Sequence, residues 1–177
     1  MGGRQIITMP NGDTQIDPFG RKRAVDKWFA DVTLNGKINY DFYSDIVDPK
    51  TSELLVKFIY DLSTGKNSPR DGVKRARSYT TLSGYMVRLP PFLSRVEKFA
   101  KKPITQITKD EVLSYFKGME TGIIKTKTNR LYKDVKSYAK VFSSFWKWYC
   151  RIMHKEKKYE LINIGIIHSS RPHKVTG

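Results

Sequence analysis

The segment from Lys125 to Ile152 constrains the fold most strongly, because it separates two kinds of side chain at helical spacing. At about 100° per residue, one side carries a mainly aromatic seam and the other carries cations. The seam consists of Leu131, Val135, Tyr138, Phe142, Phe145, Tyr149 and Ile152. The opposite side consists of Lys133, Lys136, Lys140, Lys147 and Arg151. The pattern predicts one long amphipathic helix that buries its rings and turns a row of positive charge outward.

Charge is distributed unevenly along the chain, which favours a polyanionic partner. The 177 residues have a net charge of +16. Residues 1–68 contain 9 Lys/Arg and 9 Asp/Glu, whereas residues 69–177 contain 24 Lys/Arg and 8 Asp/Glu. A basic half of this kind is typical of binding to a phosphate backbone. A membrane surface is the competing partner, but it needs an exposed apolar face, and we expect the aromatic seam to be buried. We therefore expect a nucleic acid as the partner and no membrane.

The composition predicts a packed intracellular domain. Hydrophobic residues make up 39% of the chain and aromatic residues 12%, which suffices for a core. No apolar run approaches the roughly eighteen residues of a membrane span, and the first residues lack a signal-peptide pattern. The single Cys150 excludes an internal disulfide and fits a reducing compartment. We expect a cytoplasmic protein.

Periodic apolar positions predict helices in the first half of the chain. The first twenty residues are expected to form an irregular arm. The spacing predicts a helix over Arg21–Val32, with a stop or turn at Asn35-Gly36. Thr51 or Ser52 is expected to cap a second helix that ends near Gly65.

Two more helices are predicted before the amphipathic segment that begins at Lys125. The apolar positions from Tyr79 to Ala100 alternate by three and four, but Pro90-Pro91 predicts a kink, or two helices that meet near Leu89. Thr108 and Glu111 form a capping box for a helix that Gly118 and Gly122 end. Its buried side is expected to be Val112, Leu113, Phe116 and Met119. These patterns predict a compact all-α bundle.

The order of these signals resembles the core-binding, SAM-like domain of tyrosine recombinases, the family of phage and archaeal integrases and Xer-type proteins. The resemblance runs from about Ser52 to Tyr149 and depends on the order and spacing of common residue types. The matching positions are Asn67-Ser68-Pro69, Thr81, Tyr85, Leu89 and Phe92, then Ile107-Thr108-Lys109-Asp110-Glu111-Val112 with Phe116, and finally Thr128-Asn129-Arg130 and Phe145-Trp146-Lys147-Trp148-Tyr149. The chain departs from the family in a longer loop from Ser68 to Ser78 and in the Pro90-Pro91 pair.

The resemblance implies a four-helix bundle that clamps one face of duplex DNA, with two helices near the major groove. It also implies a homo-oligomer, a tetramer on DNA, for the full-length protein. The setting it implies is nucleoid-associated, in a prokaryotic or viral system. We assign residues 1–50 to an N-terminal extension that is partly helical and residues 51–163 to the core-binding domain. Residues 164–177 are expected to be a linker toward a catalytic domain that this sequence does not contain.

The family's chemistry uses an Arg, a later His-x-x-Arg and a tyrosine nucleophile. His168-Ser169-Ser170-Arg171 fits His-x-x-Arg, but only six residues follow it and none is Tyr. The sequence has no GxxxxGK[ST] phosphate cradle and no metal-ligand spacing of His and Cys. We therefore expect this chain to bind DNA without being an enzyme itself, and to need no cofactor and no metal.

Two sets of residues are predicted to contact DNA. The first lies where the long helix is expected to begin, where free backbone N–H groups and lysines would hold phosphate. It consists of Lys125, Thr126, Lys127, Thr128, Asn129, Arg130, Lys133, Lys136 and Lys140, with Asn129 or Arg130 able to reach base edges. The second set, at the connector and the start of the next helix, consists of Lys74, Arg75, Arg77, Ser78, Thr81 and Tyr85.

The sequence leaves other functions open, and other roles for the predicted DNA-contacting residues. Ordinary N-capping by Thr126 or Thr128 and solvated lysine faces are the plain alternatives to phosphate contacts. A stand-alone helical DNA-binding regulator would need a short helix-turn-helix, which the pattern does not show. A helical adaptor for acidic protein surfaces and an RNA-binding protein also remain open.

Overall fold

The structure is a computed structural model that describes residues 6–8, 14–16, 20–65 and 78–152. Most of these residues are helical, which confirms the all-α class. The α-helices of this part of the chain are α1 (Lys22–Asp31), α2 (Pro49–Thr64), α3 (Tyr79–Ala100), α4 (Lys109–Thr121) and α5 (Val135–Ile152). The strands pair as two antiparallel hairpins, β1 (Ile6–Thr8) with β2 (Thr14–Ile16) and β3 (Thr33–Leu34) with β4 (Lys37–Ile38).

The chain divides into two compact units, residues 1–94 and residues 95–177, and α3 contributes to both. The predicted helix over Arg21–Val32 is confirmed as α1. The predicted turn at Asn35-Gly36 joins β3 to β4, with both residues at positive φ. The arm that the sequence predicted to be irregular contains β1 and β2, in which Ile6 lies opposite Ile16. Short strands of this kind give too little periodicity for a sequence pattern to reveal them.

Unit 1 is organised around aromatic contacts between α1, α2 and the segment between them. The Trp28 indole N–H donates to the Tyr43 hydroxyl at 2.6 Å, and the Trp28 ring lies 5.5 Å from that of Tyr60. Burial raises the pKa of Tyr43 to about 12, because its neutral phenol is favoured away from water. Residues before α2 therefore share a core with that helix.

The start of α2 corrects the predicted cap. Asp48 is the N-cap, and its carboxylate accepts a hydrogen bond from the Lys50 N–H at 2.9 Å. Thr51 and Ser52 are fully buried inside the first turn. The Ser52 hydroxyl instead accepts from the Tyr43 N–H and donates to the Tyr40 carbonyl, both at 2.8 Å. Pro at the first helical position favours Asp48 as the cap, while the predicted end is confirmed at Gly65, whose φ is 76°.

Helix α3 runs through Pro90 and Pro91, so the prediction of two helices meeting near Leu89 is wrong. Each proline removes one backbone donor, which costs stability in a helix interior. The helix nevertheless buries apolar side chains before and after the pair, among them Leu82, Leu89, Phe92, Leu93 and Val96. Burial along the whole length stabilises a single helix despite the two lost hydrogen bonds.

Unit 2 confirms the capping box of α4. The Thr108 hydroxyl accepts from the Glu111 N–H at 3.3 Å and lies 2.9 Å from the Glu111 carboxylate. The Lys102 ammonium donates to the same carboxylate at 2.6 Å, and chiefly this contact lowers the pKa of Glu111. The buried side is Val112, Tyr115, Phe116, Gly118 and Met119, whereas Leu113 is half-buried. Of the two glycines that were predicted to end the helix, only Gly122, at φ 80°, does so, and Gly118 lies inside the helix.

Candidate nucleic-acid interface

Helix α5 begins at Val135, so the prediction of a helix from Lys125 is wrong. The helix still separates the two faces that the sequence indicated. Phe142, Phe145 and Tyr149 are buried, and so is Trp148, which is not part of the predicted seam. Phe142 stacks on Trp146 at 5.7 Å, and Phe145 stacks on Tyr149 at 6.4 Å. Val135, Tyr138 and Ile152 are half-buried, and Leu131 lies outside the helix and is exposed.

The opposite side of α5 carries a basic stripe, which we define as Lys136, Lys140, Lys147 and Arg151. At about 100° per residue, these four lie within a sector of roughly 60°. Lys140 and Lys147 are exposed, and Lys136 and Arg151 are partly exposed. Helix α5 contains no Asp or Glu. Every charged side chain on the outer face of the helix is therefore a cation.

Residues 123–134 form a loop rather than the first turns of the helix, and we call this segment the basic loop. It carries Lys125, Lys127, Arg130 and Lys133, all exposed. With the basic stripe, it brings eight Lys/Arg and one acidic residue, Asp134, into residues 123–152. The loop is charged in the way the sequence indicated, although it is not helical.

Hydrogen bonds within the basic loop explain why it is not helical. The Thr126 N–H donates to the Arg130 carbonyl at 2.9 Å, and the Arg130 N–H donates to the Thr126 hydroxyl at 3.2 Å. The Thr126 and Thr128 hydroxyls lie 3.1 Å apart, and Asn129 has a φ of 60°. Thr and Asn side chains that bond to nearby backbone compete with helix formation, and Asn tolerates positive φ.

The predicted phosphate site at a helix N-terminus formed by residues 125–128 is also wrong. The first turn of α5 is capped by Asp134, whose carboxylate accepts from the Ser137 N–H at 3.2 Å and from the Ser137 hydroxyl. This carboxylate occupies the place where an anion would interact with the helix dipole. Lys125, Thr126, Lys127 and Thr128 are thus loop residues, and any anion there must be held by side chains and loop amides.

The second predicted set is only partly described. Lys74, Arg75 and Arg77 lie outside the described residues. Ser78 immediately precedes α3, where its hydroxyl accepts from the Thr81 N–H at 3.2 Å and donates to the Thr81 hydroxyl at 2.9 Å. Tyr85 is half-buried, with its ring 5.4 Å from that of Phe58. All three therefore have structural contacts, and of the three only Thr81 is exposed.

The sequence did not reveal a cluster around Arg95 on α3. The Arg95 guanidinium lies over the rings of Tyr132 and Tyr138, 5.8 Å and 6.0 Å from their centroids. Those two rings meet edge to face at 5.6 Å. Burial raises the pKa of nearby Tyr115 to about 12. The cluster ties the basic loop, through Tyr132, to α3 and α5. No local sequence pattern indicates it, because Tyr132 and Tyr138 lie far from Arg95 in the sequence.

The described part of the chain offers little support for a metal site or a reactive cysteine. No group of His, Cys, Asp and Glu there could hold a metal ion. Cys150 is half-buried, and burial raises the pKa of its thiol, which disfavours the reactive thiolate. The His168-x-x-Arg171 motif lies outside the described residues. No helix in the described ranges is both long and apolar enough to cross a bilayer.

Comparison with family models, curated proteins and solved structures finds no match to this chain.

Proposed function

We propose that this protein binds double-stranded DNA through the basic loop and the basic stripe, and that it is the core-binding part of a tyrosine recombinase. The observation that carries the proposal is the outer face of α5, where cations follow one another without any carboxylate. A surface of one sign is expected where the partner supplies the opposite charge.

The other helices support this interpretation, because their lysines occur among carboxylates. On α1, Lys22 pairs with Asp26 and Lys27 with Asp31 at i,i+4 spacing. On α2, Lys50 and Lys57 both pair with Glu53. The exposed faces of α1 and α2 thus carry charges of both signs. Within the described ranges, the lysines of the basic stripe have no such ion pair.

The dimensions of the basic stripe suit a duplex. Lys136 and Arg151 are fifteen residues apart, which is about 22 Å along a helix at about 1.5 Å per residue. At about 3.4 Å per base pair, this length spans roughly six base pairs. The packed rings beneath the stripe fix its backbone, so little order has to be gained when the lysines meet phosphate.

The described geometry favours a duplex over single-stranded partners. Single-stranded RNA and DNA are bound largely by stacking of bases on exposed aromatic rings. The rings of α5 are instead buried, apart from the half-buried Tyr138, and Phe142 and Phe145 are fully shielded. Lysine contacts to phosphate would give affinity without sequence preference, while Asn129 and Arg130, exposed in the basic loop, are the side chains we propose for base contacts.

The assignment to recombinases adds three proposals. Helices α2 to α5 would correspond to the SAM-like four-helix bundle, with Thr81 at the start of α3 near DNA. Strand cleavage would require the catalytic Arg, His and Tyr of a separate domain. On DNA, several copies would assemble, as the tetramer of such recombinases does.

A binding competition tests the proposed partner. We expect the protein to bind a labelled 30-base-pair duplex more tightly than the corresponding single strand, RNA hairpin or polyglutamate. The variant Lys136→Gln/Lys140→Gln/Lys147→Gln should lose affinity for the duplex. A control variant with the same charge loss, Lys37→Gln/Lys109→Gln/Lys117→Gln, should keep it. Preference for polyglutamate would favour the adaptor function, and equal affinity of both variants would contradict the proposed surface.

Selection from a random duplex pool tests the recombinase assignment separately. A core-binding domain that assembles on recombination sites should enrich inverted repeats, with two copies bound to each selected duplex. Binding without any enriched sequence would leave the DNA-binding proposal standing and contradict the recombinase assignment.

A further inference from the structure

We infer that the basic loop inserts Ile123 as an apolar wedge into a groove of duplex DNA and bends it. The inference rests on the proposed function and specifies how this surface engages its partner. Ile123 is 84% exposed, the highest value among the exposed large apolar side chains of the described residues. It stands directly before a segment in which Lys125, Lys127 and Arg130 are all exposed.

A second apolar side chain lies at the same place. Leu131 is 62% exposed and follows Arg130, at the end of the turn that contains Lys125, Lys127 and Arg130. Its Cδ2 atom comes within 2.5 Å of the position that a Cβ would occupy on Gly122, the residue before Ile123. The two ends of the turn thus meet at Gly122. Two exposed aliphatic side chains and three cations are therefore presented by one short loop.

Several contacts hold the loop backbone on both sides of Ile123, whose side chain is exposed. The neighbouring Ile124 donates its N–H to the Gly118 carbonyl at 2.9 Å, and its Cδ1 atom lies 2.7 Å from where a Cβ on Gly118 would stand. The Thr126–Arg130 hydrogen bonds close the turn, and Tyr132 lies against Arg95 and Tyr138. A wedge needs this rigidity, because a mobile side chain would fold away from the base step.

Charge and size favour DNA as the occupant. Proteins that kink DNA insert apolar side chains, isoleucine and leucine among them, between base steps while basic residues hold the flanking phosphates. A bilayer is the other anionic partner with an apolar interior. Ile123 and Leu131 together offer fewer methylene groups than one myristoyl chain, and a single such chain binds membranes only marginally. Two side chains suffice for a wedge and not for an anchor.

The test measures DNA bending by energy transfer between dyes at the two ends of a 25-base-pair duplex. The wild-type protein should bend the duplex within the range of about 20–90° that apolar wedges produce. Ile123→Ala should reduce the bend by more than half while weakening binding less than about tenfold, because the cations remain. Leu34→Ala, which truncates a 59% exposed leucine in unit 1, should leave bend and affinity unchanged.

Each remaining outcome decides the inference. A wild-type protein that binds without bending, or an Ile123→Ala variant that bends as the wild type does, overturns the wedge and leaves the proposed function intact. A wild-type protein that does not bind duplex DNA at all overturns the proposed function itself. Binding to phosphatidylserine vesicles that is lost in Ile123→Ala, with DNA bending unchanged, overturns the wedge in favour of a membrane contact.

Discussion

The Asp134 carboxylate accepts a hydrogen bond from the Ser137 N–H, with 3.2 Å between Oδ1 and N, and so caps the first turn of α5. Asp134 is also the only acidic residue between Ile123 and Ile152. One residue thus sets where the helix begins and introduces a single negative charge into an otherwise cationic segment. These two roles are separable by substitution.

Replacing Asp134 tests both roles. Asp134→Ala removes the cap and should lower the free energy of unfolding by about 1 kcal/mol, the usual cost of losing an N-cap. Asp134→Asn keeps an acceptor and should cost much less. Both variants remove a negative charge beside the basic stripe, so both should bind duplex DNA more tightly at low salt. Urea unfolding and duplex titration measure the two effects, and equal stability losses in both variants would contradict the capping role.

Truncation of the aromatic seam should destabilise the fold strongly. Phe142 and Phe145 are fully buried, and each stacks on a neighbouring ring one turn further along α5. Phe142→Ala or Phe145→Ala should lower the free energy of unfolding by roughly 3–5 kcal/mol through lost burial and the cavity left behind. Leu131→Ala, at an exposed site, should change it by less than about 0.5 kcal/mol. Comparable losses at exposed and buried sites in urea unfolding would contradict the described core.

Two helical glycines should respond oppositely to alanine. A Cβ on Gly84 would meet nothing within 4 Å, so Gly84→Ala should stabilise α3 by about 0.5–1 kcal/mol. A Cβ on Gly118 would lie 2.7 Å from Ile124 Cδ1 and 2.9 Å from Cγ1. Gly118→Ala should therefore be destabilising by about 1–3 kcal/mol, because Ile124 and the loop must shift.

A double-mutant cycle checks the cause at Gly118. Ile124→Ala removes the clashing atoms, so adding Gly118→Ala to that variant should cost less than it does in the wild type. Additive losses in the thermal unfolding of the double variant would show that Ile124 is not the obstacle.

The Lys102–Glu111 contact predicts how stability depends on pH. In the folded protein, the pKa of Glu111 lies below its ordinary value of 4.5, mainly because Lys102 donates to it. A lowered pKa in the folded state gives a contribution that is complete above the unfolded-state pKa and is lost as pH falls through the folded-state pKa. Glu111→Gln should therefore reduce the stability difference between pH 6 and pH 3, as measured by thermal unfolding at each pH. An unchanged difference would contradict the prediction.

Much of the fold follows from local sequence rules, because the signals are strong where caps and periodicity agree. The capping box of Thr108 and Glu111 and the glycine ends at Gly65 and Gly122 are confirmed. Apolar periodicity also identified the buried rings of α5. The same rule failed when it extended that helix back to Lys125, since Leu131 has helical spacing relative to Val135 but lies in a loop.

The basic loop shows what periodicity cannot resolve. Spacing is counted along the chain and ignores hydrogen bonds that close a turn, such as those between Thr126 and Arg130. Two signals could have shown the true boundary: Asn129, which tolerates positive φ, and Asp134, which is a preferred N-cap. The Arg95 cluster was unpredictable for another reason, because its partners Tyr132 and Tyr138 lie far from it in sequence.

The dependence of duplex affinity on salt tests the central proposal most directly. Each phosphate contact contributes about 0.9 to the slope of log affinity against log salt concentration. Relative to the wild type, Lys133→Gln/Lys136→Gln/Lys140→Gln should therefore reduce the slope by up to about 2.7, whereas the control Lys37→Gln/Lys109→Gln/Lys117→Gln should leave it unchanged. A slope in the first variant equal to that of the wild type would show that these lysines do not contact DNA and would contradict the proposed interface.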